Sequence, residues 1–263
     1  MPELPEVEAY RTLAERALDR PITEVHAPDA WFLKRGLTPE VVTAELDGRR
    51  LVAARRIGKQ LLLDTSDDGP TLGLHFGMAG RLVVDETTAV TDLVYSPNDA
   101  NPAWDRFGLR FADGGQLMVR DSRRLGAVEL DPDEARLGPD ARSVSASQLR
   151  DLLAGSQAPV KARLMDQSRL AGVGNLIADE TLWRAGLDPA RSAASLEPAD
   201  VRRLHKHLRA VLEDFIAGGG SHTGSLQEQR HREGVCPRCG TPLLRRTVGG
   251  RTTFSCPRHQ PAL

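Results

Sequence analysis

The chain opens Met1-Pro2-Glu3-Leu4-Pro5-Glu6-Val7-Glu8, and this stretch supports two readings. As a structural signal it is a helix start, with proline near the first helical position and carboxylates in the first turn. Val7, Tyr10, Leu13, Ala14, Ala17 and Leu18 follow at helical spacing, which predicts a helix over 3–18. As a chemical signal it supplies a nucleophile. An internal proline has no N–H, but removal of Met1 would leave Pro2 with a free secondary amine of pKa roughly 8. Such an amine is partly neutral near pH 7 and can attack an electrophilic sugar carbon to form a Schiff base. Taken alone, the stretch leaves both readings open.

Beyond the helix the pattern changes. From about 22 to 130 short apolar runs alternate with turn signals, and strands are predicted at 51–54, 61–63, 71–74, 81–84, 108–111, 116–119 and 127–130. Asp67-Asp68-Gly69-Pro70 and Asp113-Gly114-Gly115 read as hairpin turns. Many short strands at this spacing indicate a β-sandwich or barrel, with Asp85–Trp104 as a long surface loop. Residues 131–143 are linker-like, after which helical periodicity predicts helices at 145–154, 159–167, 175–186 and 198–217. Glu197-Pro198 marks a helix start and Gly218-Gly219-Gly220 a stop. The chain is therefore expected to be an α+β multidomain protein. Its parts are an N-terminal β-sandwich domain with a leading helix (1–130), a helical domain (131–220) and a small cysteine-containing module (221–263).

The module carries the strongest chemical signal. Cys236-Pro-Arg-Cys239 and Cys256-Pro-Arg-His259 are two ligand pairs separated by sixteen residues, with Gly249-Gly250 able to turn a hairpin between them. Three thiolates and one imidazole close a tetrahedral shell with no open position, which predicts one structural zinc per chain. All three cysteines of the chain lie here, a poor count for a disulfide framework. Arg245, Arg246, Arg251 and Arg258 add positive charge, and an arginine at the hairpin tip has the reach to touch phosphates.

At 263 residues the chain can bury a sizeable core. Net charge is −1, yet residues 201–263 hold eleven Lys and Arg against four Asp and Glu, an asymmetry that points to a polyanionic partner at that end. No apolar run approaches the roughly 18 residues of a membrane span, and no basic-then-apolar leader opens the chain. The expectation is a cytoplasmic protein without membrane contact, nucleoid-associated if bacterial. Within Leu170-Ala-Gly-Val-Gly-Asn175-Leu-Ile-Ala-Asp-Glu180 the glycines sit directly before a helix, where backbone N–H groups bind phosphate and Asn175 adds a donor. A glycine turn needed only for sterics is the alternative.

Four segments, in order, resemble the formamidopyrimidine-DNA glycosylase / endonuclease VIII family: Met1–Glu8, His75-Phe-Gly-Met78-Ala-Gly80, Gly172-Val-Gly-Asn175, and the cysteine–histidine ribbon. The resemblance covers essentially the whole chain. It implies a β-sandwich-like domain, a helix–two-turn–helix domain and a zinc finger, with damaged double-stranded DNA crossing the cleft between them, bound by a monomer. It implies that Pro2 attacks C1′, that Glu3 moves protons or stabilises the opened sugar, and that Lys59 contacts phosphate and lesion. Glu6 and Glu180 would hold the N-terminus and its helix. Lys161 and Asn175 would bind the DNA backbone, and Arg251 would be the finger arginine. Met78, Arg123 and Leu125 would fill the space left by the extruded nucleotide.

Three features depart from the family pattern. Leu125 stands where an aromatic is usual, His259 replaces the fourth cysteine, and Gly220–Gly234 is short for a lesion-covering loop. The expected activity is a bifunctional DNA glycosylase/AP lyase using β,δ-elimination. A noncatalytic damage-binding paralogue is the alternative, against which the intact Pro2, Glu3 and Lys59 argue.

Overall fold

The computed structural model describes residues 2–90, 92–93 and 101–262. The chain divides into two compact units, Met1–Glu134 and Ala135–Leu263.

In the first unit, helix α1 (Leu4–Ala14) is built as the apolar spacing requires, with Leu4, Val7, Tyr10, Leu13 and Ala14 buried. It is shorter than the sequence pattern suggests. Glu15–Ala17 tighten into a 3₁₀ turn and Leu18 is extended, so the last apolar positions leave the helix to meet the sheet. Strand β1 (Ile22–His26) follows, then helix α2 (Pro39–Leu46), β2 (Leu51–Ile57), β3 (Gln60–Thr65), β4 (Leu72–His75), β5 (Arg81–Val84), β6 (Thr87–Thr88), β7 (Asp105–Phe111), β8 (Gln116–Arg120) and β9 (Ala127–Leu130). They form two antiparallel sheets, β2-β3-β4-β9 and β1-β7-β8-β5-β6. The hairpin turns expected at 67–70 and 113–115 join β3 to β4 and β7 to β8.

Two elements go beyond the sequence expectation. Strand β1 is an edge strand whose Thr23 and Glu24 are exposed, so it lacks the apolar run of a buried strand. Such polar edges limit intermolecular pairing. Helix α2 interrupts the strand-rich stretch. Thr38 accepts the Val41 N–H at 3.3 Å, Pro39 occupies the first position, and Val42 and Leu46 are buried four residues apart. The surface loop expected over Asp85–Trp104 falls partly outside the described residues. Its described parts include β6 and a 3₁₀ turn at Pro102–Trp104.

One core fills the unit. It joins Val7, Tyr10 and Leu13 of α1 to Leu61, Leu63 and Leu74 of one sheet and Phe107, Leu109, Leu117 and Val119 of the other. Tyr10 packs on Phe76 at 4.6 Å between ring centroids, and its hydroxyl donates to the Gly80 carbonyl at 3.2 Å.

The second unit holds α3 (Ala146–Leu153), α4 (Val160–Met165), α5 (Asn175–Ala185), α6 (Pro198–Ala217) and the hairpin β10 (Leu244–Val248)–β11 (Arg251–Ser255). Ser145 and Gln148 cap α3 reciprocally. Helix α5 is buried on nearly all sides, whereas α6 buries the stripe Val201, Leu204, Leu208, Val211, Leu212 and Phe215. Among the described residues no helix is long and apolar enough to cross a membrane.

Phe76 ties α1 to the turn after β4. Phe76→Ala should lower unfolding free energy by about 3–5 kcal/mol, from lost burial and the cavity left behind. Urea denaturation would measure this, and a loss under about 1 kcal/mol would show that α1 does not depend on this contact.

Candidate functional site

Pro2 and Glu3 lie immediately before α1, and both are buried. A Glu6 carboxylate oxygen accepts the Glu3 N–H at 2.8 Å, while the Glu3 side chain meets the Glu6 amide in a reciprocal capping box. The residue that would carry the amine is therefore joined to a backbone already fixed by helix burial. Met1 lies outside the described residues.

Strand register gathers three turns at one end of the four-stranded sheet. Gln60 of β3 pairs with His75 of β4, and His75 with Ala127 of β9. The Gly58-Lys59 turn, the 76–80 turn and the 121–126 loop consequently lie side by side. Lys59 is half-buried. Desolvation, then the Lys59 charge, holds His75 below the usual histidine range. Its Nδ1 accepts the Gly77 N–H at 3.1 Å, which requires an unprotonated nitrogen.

The 76–80 turn carries half-buried Met78. Gly77 has φ 55°, and a Cβ there would lie 2.3 Å from the Leu125 carbonyl carbon. Only glycine lets the two loops approach so closely. The 121–126 loop is organised by Asp121, which is fully buried. Its carboxylate accepts N–H groups from Arg123 (2.9 Å), Leu125 (2.9 Å) and Gly126 (2.8 Å). Arg124, at φ 55°, forms a two-pronged ion pair with Asp29 at 2.7 and 2.6 Å. The Arg124 guanidinium holds the Asp29 carboxyl below its ordinary range. The outcome is an exposed Arg123 and a Leu125 with 48% of its surface exposed on a constrained loop. Asp121 and Asp29 did not stand out in the sequence. Nothing there tells a carboxylate that collects amides from one facing water.

In the second unit Gln167 organises the glycine turn. Its side chain donates to the Met165 and Val173 carbonyls and accepts the Gly172 N–H at 3.0 Å. Asn175 opens α5, and its amide donates to the Thr252 carbonyl at 3.2 Å. Arg251 is exposed at the start of β11, beside the Gly249-Gly250 tip. Gly249 packs against Ala162 of α4, where a Cβ would come within 2.7 Å of the Ala162 methyl.

One placement differs from what the resemblance implies. Lys161 has no surface exposure. Its ammonium meets Asp179 at 2.7 Å and donates to the Thr253 hydroxyl at 2.6 Å and the Thr252 carbonyl at 3.3 Å. It is a strut inside this unit rather than a surface cation, because a buried ammonium must be paired. Asp179 also receives Arg230 and the Phe254 N–H. Glu180, likewise buried, accepts the Leu226 N–H at 3.0 Å and pairs with Arg184 at 2.9 Å. Its carboxylate thus fastens the 224–226 segment.

Cys236, Cys239, Cys256 and His259 bring their ligand atoms within 4.8 Å of one another. The knuckle turns are closed by backbone bonds, Cys239 N–H to Cys236 O at 3.2 Å and Gln260 N–H to Cys256 O at 2.8 Å. Hydrogen bonds at Thr241 push the Cys239 thiol down to about 6, whereas burial pushes Cys256 up. His259 Nε2 is buried with no hydrogen-bond partner among the described residues. A buried ring nitrogen without a partner beside three thiols fits a metal ligand. The Trp183 indole N–H donates to Cys236 Sγ at 3.3 Å, the outer-shell support that metal thiolates commonly have.

Comparison with known proteins agrees with the division into two units. Residues 1–128 match the formamidopyrimidine-DNA glycosylase N-terminal domain, and residues 137–226 the formamidopyrimidine-DNA glycosylase H2TH domain. A formamidopyrimidine-DNA glycosylase of Paracoccus denitrificans is 38% identical over 287 aligned residues, covering 99% of this chain and 100% of that protein. One from Chloroflexus aggregans is 35% identical, covering 99% and 98%. Lactococcus lactis Fpg bound to abasic-site DNA superimposes with a TM-score of 0.83 at 28% identity, covering 99% of this chain and 100% of that one. The same enzyme bound to Fapy-dG DNA gives a TM-score of 0.82.

Metal analysis should find one zinc per chain. Cys239→Ser should lose it and lower the melting temperature, because binding energy at such a site is folding energy. Stoichiometric zinc retained by that variant would refute the four-ligand assignment.

Proposed function

The chain belongs to the formamidopyrimidine-DNA glycosylase family, and we propose that it is a bifunctional DNA glycosylase/AP lyase of base-excision repair. The observation that carries this reading is the Pro2-Glu3 pair, held by a capping box at the start of a buried helix. In the same unit an exposed Arg123 and Leu125 project from the loop organised by Asp121.

With Met1 removed, the Pro2 lone pair attacks C1′ of the extruded nucleotide and the glycosidic bond breaks. The departing base takes a proton, for which Glu3 is the adjacent donor. The Pro2 nitrogen then gives up its proton, the C1′–O4′ bond breaks with O4′ taking a proton, and an iminium is left between Pro2 and C1′. Loss of a C2′ proton then expels the 3′ phosphate, and a second elimination expels the 5′ phosphate. Lys59 supplies positive charge toward the phosphate and lesion, Met78 and Leu125 fill the vacated stack, and Arg123 pairs with the orphaned base.

In the second unit Asn175 and Arg251 are the proposed phosphate contacts. Lys161 acts on them indirectly, since its bonds to Thr252 and Thr253 fix the residues after Arg251. Zinc holds the knuckles from which the β10–β11 hairpin springs. Three modules, 1–130, 131–220 and 221–263, divide this work between catalysis, backbone binding and the finger.

A noncatalytic damage-binding paralogue would share this fold. Incubation with an abasic duplex separates the two, because strand incision belongs to the enzyme. Incision should fall at least about a hundredfold in Pro2→Gly, a loss of the order expected when a catalytic group is removed. Undiminished incision would move the nucleophile elsewhere.

Lesion choice follows from the short segment after α6. Residues 221–234 are tied down by the Leu226 N–H on Glu180, Arg230 on Asp179, and the Gln229 side chain accepting the Val235 N–H at 3.0 Å. A chain so tethered does not support a long cap over the lesion, so selection should favour nucleotides that are already poorly stacked. Abasic sites and ring-opened or ring-saturated bases should be processed faster than 8-oxoguanine. Arg123→Ala should cost most opposite cytosine. Single-turnover rates on matched duplexes decide this, and 8-oxoguanine opposite cytosine as the fastest substrate would overturn it.

A further inference from the structure

A segment with no role assigned so far is fastened to the 121–126 loop. Asp29, whose carboxylate grips Arg124, precedes a single 3₁₀ turn at Ala30–Phe32. Phe32 is fully buried against Gly126, where an added Cβ would come within 2.5 Å of its ring. Two residues on, the Lys34 N–H donates to the Val128 carbonyl at 3.0 Å. Between these anchors Trp31 leaves 67% of its surface exposed. A lone exposed apolar residue is ordinarily unremarkable, but the backbone of this one is anchored on both sides. The Lys34 ammonium donates to the Trp31 carbonyl at 2.6 Å and stands 4.5 Å from the centre of the indole ring. Lys34 and Arg35 follow Trp31 closely in the chain, and Arg106 and Arg124 are held at Asp29, two residues before it. An exposed aromatic face beside basic side chains is the combination with which proteins hold unstacked nucleotides.

We propose that Trp31 is a further DNA-contacting residue, packing its indole on a nucleotide adjacent to the one displaced, with Lys34 toward the neighbouring phosphate. The proposal rests on the DNA-repair reading above and adds a contact to it. An apolar wedge opens a base step and kinks the duplex, which uncovers base and sugar surface beside it. Leu125 has no aromatic face with which to cover that surface. Trp31 belongs to the segment that the Asp29–Arg124 pair clamps to the same loop, so its backbone is positioned beside Leu125 before DNA binds.

The test uses the full-length, zinc-loaded protein and a labelled duplex carrying a tetrahydrofuran abasic analogue. Binding is followed by anisotropy and by tryptophan emission. Of the three tryptophans, Trp183 is buried and Trp31 is the most exposed. The duplex should quench wild-type emission, and most of that quenching should vanish in Trp31→Phe, which keeps a ring and binds within about twofold of wild type. Trp31→Ala should bind about tenfold more weakly at an unchanged melting temperature, a loss in the range of one base–aromatic contact. Wild-type affinity in Trp31→Ala, with Leu125→Ala still weakened, would overturn the proposal and leave the DNA-repair reading standing. A wild-type protein that neither binds nor cuts the duplex would overturn both.

Discussion

Burial of α1 is the constraint on which the rest depends. The helix contacts β2 and β3 of one sheet and β5 of the other, and its apolar stripe is part of the core that joins them. Because the chain enters that helix at Leu4, residues 2 and 3 have almost no conformational freedom left. A nucleophile on a free terminus would have to be ordered at every encounter, at about 1–2 kcal/mol per residue. Here that ordering is done by folding, and the Glu3–Glu6 capping box completes it.

The same economy recurs where side chains must face outward. Asp121 collects three amides, and Asp29 takes a two-pronged arginine. In the second unit Asp179 gathers Lys161 and Arg230. Buried charges of this kind are poor sources of net stability, because desolvation offsets much of the attraction. What they provide is geometry. Removing one partner strands the other in a poorly solvated site, so each loop has one well-defined arrangement. Leu125, Arg123 and Arg251 are consequently presented by rigid supports rather than by mobile loops.

Much of this was legible in the sequence. Strands with inward Leu, Val and Phe, the two hairpin turns, the four helices of the second unit and the cysteine–histidine cluster follow from periodicity, turn chemistry and spacing. What escaped did so for identifiable reasons. Strand β1 is a polar edge, with no apolar run to reveal it. Helix α2 did carry a signal, Thr38-Pro39-Glu40, but it is short and lies among strands. Lys161 looks like a surface cation because sequence shows a charge and not its partner, and Asp179 lies eighteen positions away on another helix. Asp29 and Asp121 were silent for the same reason. Their role exists only once chain segments far apart in sequence meet.

The central claim is that the N-terminal amine is the reacting atom. Borohydride reduction during incubation with an abasic duplex, followed by digestion and mass spectrometry of the crosslinked peptide, addresses it directly. The account predicts a sugar remnant on a peptide that begins at Pro2, with Met1 absent. A remnant on Lys59, or a crosslinked protein that retains Met1, would contradict it.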